Sequence, residues 1–123
     1  MINEKFVSLE TGKLLQKIGF DWQCRYYHID GCNDVIDTEY QNTDFTTKFI
    51  PKPTLDEAQR WLREVKHIFL VVNINRLGYL FLVKDISMMD SITYIGGING
   101  YYKTYEEALE NGINKICKNI KLK

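Results

Sequence analysis

Cys24, His28 and Cys32 are the residues whose types could most readily do chemistry. Thiolate and imidazole are the usual ligands of zinc, and His67 or Cys117 could complete a tetrahedral set. The spacing argues against it. A two-residue turn at Asp30-Gly31 sends Cys24, Tyr26 and His28 to one face of a strand, while Cys32, opposite Ile29, points to the other. The paired spacings of known zinc motifs are also absent. Isolated cysteines of this kind behave as small buried hydrophobes, so neither a metal nor a cofactor is expected.

The remaining chemical candidates are weaker. A Cys/His nucleophile pair could use His28 or His67, yet no nucleophile elbow or other catalytic signature accompanies either. His67 follows Lys66 at the end of a helical pattern, where an imidazole meets the carbonyls and the dipole. Gly96-Gly97-Ile98-Asn99-Gly100 precedes a helix as a phosphate loop would, but it lacks the lysine and the glycine order of such loops. Glu106 and Glu107 also occupy the turn that a phosphate would approach. Asp30, Asn33, Asp34 and Asp37 do not have the spacing of a calcium loop. They read as a solvated acidic edge that discourages strand pairing. No catalytic residue is assigned.

The elements that must position these residues are marked by clear end signals. Ser8 is an N-cap for a helix carrying Thr11, Leu14, Leu15 and Ile18 on one face, with Gly19 at its end. Residues 22–29 are aromatic and β-branched, which predicts a strand returning over 35–40, with a further short strand at 46–50. After Pro51-Lys52-Pro53, Thr54 and Glu57 form a capping box for a helix with the stripe Leu55, Ala58, Leu62 and Val65, and Trp61 beside it. The apolar run 68–74 predicts a central strand. Residues 75–78 turn the chain into a strand over 79–86, and 91–95 supply another. A second capping box, Thr104 with Glu107, opens a helix whose stripe is Tyr105, Ala108, Leu109, Gly112, Ile113, Ile116, Cys117 and Ile120. Gly112 within that stripe predicts a close approach of helix to sheet.

The order is α-β-β-(β)-α-β-β-β-α. It predicts one α+β domain over residues 1–123, with an antiparallel sheet of about five or six strands and three helices mainly on one face. The five elements from residue 54 onward follow the order of a double-stranded-RNA-binding domain. That fold grips phosphates with lysines where this chain has Thr104-Tyr105-Glu106-Glu107, so only the element order agrees.

Composition narrows the function classes. The 123 residues are 45% apolar, enough for one hydrophobic core, and the 16 basic and 16 acidic groups cancel. A neutral chain has no long-range field for nucleic acid or anionic membranes, and neither half hides one. Residues 1–53 hold six basic and eight acidic groups, and residues 54–123 hold ten and eight. No apolar run approaches the span of a bilayer or a signal peptide. Three cysteines without paired spacing fit a reducing cytoplasm better than a disulfide framework.

Three segments together resemble a known group. They are Phe-Val-Ser-Leu-Glu-Thr-Gly-Lys-Leu-Leu at 6–15, Pro-Thr-Leu-Asp-Glu-Ala-Gln-Arg-Trp-Leu-Arg-Glu at 53–64, and Tyr-Glu-Glu-Ala-Leu-Glu-Asn-Gly-Ile at 105–113. They are similar to small proteins of Bacteroidetes phages and prophages, a family with no assigned activity. The resemblance implies a phage or mobile-element setting and offers no catalytic residues. Recognition is the function class that remains. The expected role is a non-catalytic, cytoplasmic accessory module that binds a host or phage protein. Its contact is expected at Asn99, Tyr101 and Tyr102, a glycine-rich loop with two tyrosines that neither periodicity claims. The alternative is a small-molecule binder with a pocket between the aromatic sheet and a helix.

Overall fold

The computed structural model describes residues 5–29, 35–37, 49–85, 92–97 and 100–119. Along the chain they form α1 (Leu9–Lys17), β1 (Tyr26–Ile29), β2 (Val35–Asp37), β3 (Phe49–Pro51), α2 (Leu55–Val65), β4 (Ile68–Asn75), β5 (Gly78–Asp85), β6 (Ile92–Gly96) and α3 (Tyr105–Asn119). The chain is α+β with the element order its sequence implies. Residues 22–25 precede β1 rather than belonging to it, and the Asp30-Gly31 turn lies outside the described residues.

One expectation is corrected. Among the described residues the strands form two antiparallel sheets, β2-β1-β3 and β4-β5-β6, instead of a single sheet of five or six. The outer side of β3 offers little to a further strand. Pro51 has no amide hydrogen to donate, and Gln16 Nε2 already donates to Phe49 O at 3.0 Å. Among the described residues the first sheet ends at β3, against α1.

The helices start where their caps dictate. Ser8 Oγ accepts from Thr11 N at 3.2 Å, and α1 closes at Ile18 with Gly19 left-handed at φ 98°. Thr54 and Glu57 make the full reciprocal box on α2, at 3.1 and 2.9 Å. On α3, Glu107 N donates to Thr104 Oγ1 at 3.0 Å.

One contiguous core joins all three helices to the second sheet. It includes Leu15 of α1, Trp61 and Leu62 of α2, Leu70 and Phe81 of β4 and β5, and Leu109, Ile113 and Ile116 of α3. Gly112 sits where α3 meets the sheet. A Cβ there would lie 2.5 Å from Leu70 Cδ1 and 3.2 Å from Phe81 Cδ1, so only glycine allows this approach without displacing a neighbour. Fully buried Thr11 accepts from Asn114 Nδ2 at 2.6 Å and ties α1 to α3.

The strand at 68–75 is not central. Among the described residues the β4-β5-β6 meander makes β5 the middle strand and leaves β4 at an edge. Its burial fades along its length: Ile68 and Leu70 lie under the helices, whereas Ile74 is 66% exposed.

Candidate interaction surface

The residues with chemical potential serve the fold. Cys24 and Cys117 are buried thiols. Burial, reinforced at Cys24 by the charge of Glu57, pushes each up to about 12, so both stay protonated and poorly nucleophilic at neutral pH. Cys24 donates its amide to Tyr27 Oη at 3.2 Å. His28 is half-buried, and its Nε2 lies 3.1 Å from Val7 O, the distance of a donated hydrogen bond. Cys32 lies outside the described residues, and among those described no group of His, Cys, Asp and Glu is arranged to hold a metal ion. His67 occupies the turn between α2 and β4 with φ 61°, a left-handed backbone.

His28 carries a pH dependence. Burial lowers its pKa from the ordinary 6.5, opposed by the bond to Val7 O, supported by the Lys52 charge and opposed again by Glu110. The unfolded chain therefore binds the proton more readily than the folded one. Stability is complete above pH 6.5 and declines as pH falls through the lowered folded value. His28→Gln keeps a donor for Val7 O and removes the titration. The difference in urea midpoint between wild type and this variant should change between pH 7.5 and pH 5, with wild type losing more. A pH-independent difference would show that the imidazole is equally protonated in both states.

The tyrosine loop and the β4–β5 hairpin meet at one end of the second sheet. Asn99 lies outside the described residues. Tyr102 is built into the fold: its backbone N and O bond to Tyr79 O and N, both at 2.9 Å, and its ring stacks on Phe81 at 6.1 Å between centroids. The sequence places it outside any strand because an isolated bridge has no periodicity. Tyr101 is half-buried, with its Cβ against Gly78 at the hairpin turn. That turn is Arg76-Leu77, shaped by Asn75 Oδ1 accepting from Leu77 N at 2.8 Å.

The hairpin end is where apolar side chains meet solvent. Leu77 is 75% exposed, beside Ile74 and half-buried Tyr101. Ile74 lies opposite Tyr79, whose ring meets Tyr105 edge-on at 6.5 Å, so the exposed surface continues to the start of α3. On the outer sheet face Val71, Leu82 and Ile95 lie opposite one another across the three strands. The sequence hides this surface, because an apolar run of strand length looks the same whether its far half is covered or not.

A separate surface cleft of about 220 Å³ lies between Phe6 and Leu55 on one side and Glu106, Glu107 and Glu110 of α3 on the other. It is smaller than the ~300–1,000 Å³ of most small-molecule sites and is not walled by either sheet. Among the described residues no helix is long and apolar enough to cross a membrane. No protein-family model, curated protein or solved structure matches the chain.

Proposed function

We propose that the protein is a non-catalytic, cytoplasmic protein-binding module that contacts its partner with the end of the β4–β5 hairpin and the adjoining Tyr101. The observation that supports this is the exposure of Ile74 and Leu77, 66% and 75%, on a hairpin whose other half is anchored in the core. A rigid scaffold with a projecting apolar tip can bury that tip only against something else. Tyr101 adds a large ring that loses little conformational freedom on contact. The likeness of residues 6–15, 53–64 and 105–113 to small phage proteins supplies the setting, with a host or phage protein as partner.

Capture from a bacterial extract followed by mass spectrometry tests the reading, using wild type, Leu77→Ser and Tyr101→Ala in parallel. The expected result is a partner whose recovery falls at least about tenfold, or 1.4 kcal/mol, in one variant whose thermal midpoint matches wild type. Tyr102→Ala is the contrasting control, because loss of its ring from Phe81 lowers the midpoint itself. Undiminished recovery with Leu77→Ser and with Tyr101→Ala would remove the hairpin end as the contact.

A further inference from the structure

Among the described residues, no strand pairs with the outer edge of β4, which presents an unfinished ladder. In a hairpin closed by a two-residue turn, the closing pair exchanges main-chain hydrogen bonds, and alternate pairs do so thereafter. Asn75↔Gly78 closes this one, so Asn75, Asn73, Val71 and Phe69 direct their main-chain groups toward β5. Ile74, Val72, Leu70 and Ile68 direct theirs to the open side. The bond from Gln59 Nε2 to Leu70 O at 2.7 Å agrees, since it reaches that carbonyl from the side away from β5. Gln59 thereby closes the first half of the edge. The stretch 71–75 remains, with the amides and carbonyls of Val72 and Ile74 facing outward.

Among the described residues, none of the usual protections of an edge strand is present there. The sequence Ile-Phe-Leu-Val-Val-Asn-Ile-Asn has no charge and no proline, and the strand keeps an unbroken register with β5 throughout. An extended uncharged edge is its own antiparallel complement. Two copies brought together meet no like-charge repulsion along the strand, and the chain as a whole is neutral.

We propose that the edge of β4 over residues 71–75 pairs antiparallel with the same edge of a second copy of this chain, about a two-fold axis through Asn73. The Gln59 cap selects this register. A pairing centred on Val72 would set Leu70 opposite Ile74 of the second copy and require the carbonyl that Gln59 holds. Centred on Asn73, Val72 and Ile74 of each copy exchange their free main-chain groups. Each Ile74 side chain also lies opposite Val72 of the other copy on the inner face, which covers the apolar surface left beyond the helices. The two three-stranded sheets become one of six strands. This dimer covers Ile74, which the hairpin-end contact also uses, so the two readings share that residue and are told apart at Leu77 and Asn73.

The register gives a sharp test. Asn73 faces its own copy in a pair without hydrogen bonds, where Cα atoms are about 4.5 Å apart, within the range a disulfide spans. Val71 faces Asn75 of the other copy, and the two Val71 positions lie roughly 13 Å apart, too far to bridge. The experiment compares full-length Asn73→Cys and Val71→Cys under mild oxidation on non-reducing gels, with wild type as the control for the native thiols. It is paired with sedimentation velocity of wild type and Asn73→Lys. The expected result is a covalent dimer forming at least about tenfold faster with Asn73→Cys than with Val71→Cys. A reversible wild-type dimer should weaken at least about tenfold in Asn73→Lys, which sets two like charges opposite each other. Asn73 is exposed, so the lysine leaves the monomer's melting unchanged at dilute concentration. A wild-type chain that stays monomeric into the millimolar range overturns the proposal. So does a dimer indifferent to Asn73→Lys, or equal cross-linking at both positions. Loss of the partner in Leu77→Ser with the dimer retained, or the reverse, separates this proposal from the hairpin-end contact.

Discussion

Trp61→Ala should cost about 3–5 kcal/mol of folding stability, the range for removing a large aromatic from a packed interior. Trp61 has 0% exposure. Its ring lies 5.1 Å from that of Phe20 at a 57° tilt, joining α2 to the segment that follows α1. Its Nε1 donates to Asp21 Oδ1 at 3.2 Å. A chain of this size holds only about 5–15 kcal/mol in total, so one truncation removes a large share. Trp61→Phe retains most of the ring volume and gives up the indole hydrogen bond. Asp21 is exposed and regains water, so this variant should lose much less. Urea denaturation of both variants checks the ordering. A small loss in Trp61→Ala, or equal losses in the two, would show that volume at this site is not what stabilises the fold.

Trp61 also shows how far local periodicity reaches. The sequence puts the α2 stripe at Leu55, Ala58, Leu62 and Val65, with Trp61 beside it. The structure buries Leu55, Ala58, Trp61 and Leu62 and leaves Val65 43% exposed. Val65 has a suitable angle on the helix, but it is the last helical residue and runs past the layer it would pack on. Angle is legible in a sequence and axial position is not. The caps at Ser8, Thr54 and Thr104 were legible because each depends on residues three apart. The division into two sheets was not, since it depends on what the outer side of β3 meets in space. The candidate site divides in the same way. Tyr101 and Tyr102 stand out by type and position, but only the bridge to Tyr79 separates the structural tyrosine from the half-free one. The hairpin tip was invisible in the sequence, because exposure of Ile74 and Leu77 depends on where the helices stop.

Gly112→Leu should destabilise by about 1–3 kcal/mol, although leucine is the better helix former by nearly 1 kcal/mol. The first added carbon already falls 2.5 Å from Leu70 Cδ1 and 3.0 Å from Leu70 Cδ2. Leu70 is a buried residue of β4 with its carbonyl held by Gln59, so its side chain can rotate but its backbone has little room to retreat. Phe81 closes the other side, with its Cδ1 at 3.2 Å. The sharper measurement is a double-mutant cycle. Leu70→Ala alone should cost about 2–5 kcal/mol, because it opens a cavity under α3. In Gly112→Leu/Leu70→Ala the new side chain occupies that cavity, so the pair should cost less than the two single losses added together. The expected coupling is about 0.5–3 kcal/mol in the favourable direction. Strict additivity in urea denaturation would mean that α3 and β4 are not in contact at Gly112. An unchanged or raised midpoint for Gly112→Leu alone would mean that the helix has room to move outward. The close approach then would not be what holds Ile113 and Ile116 in the core.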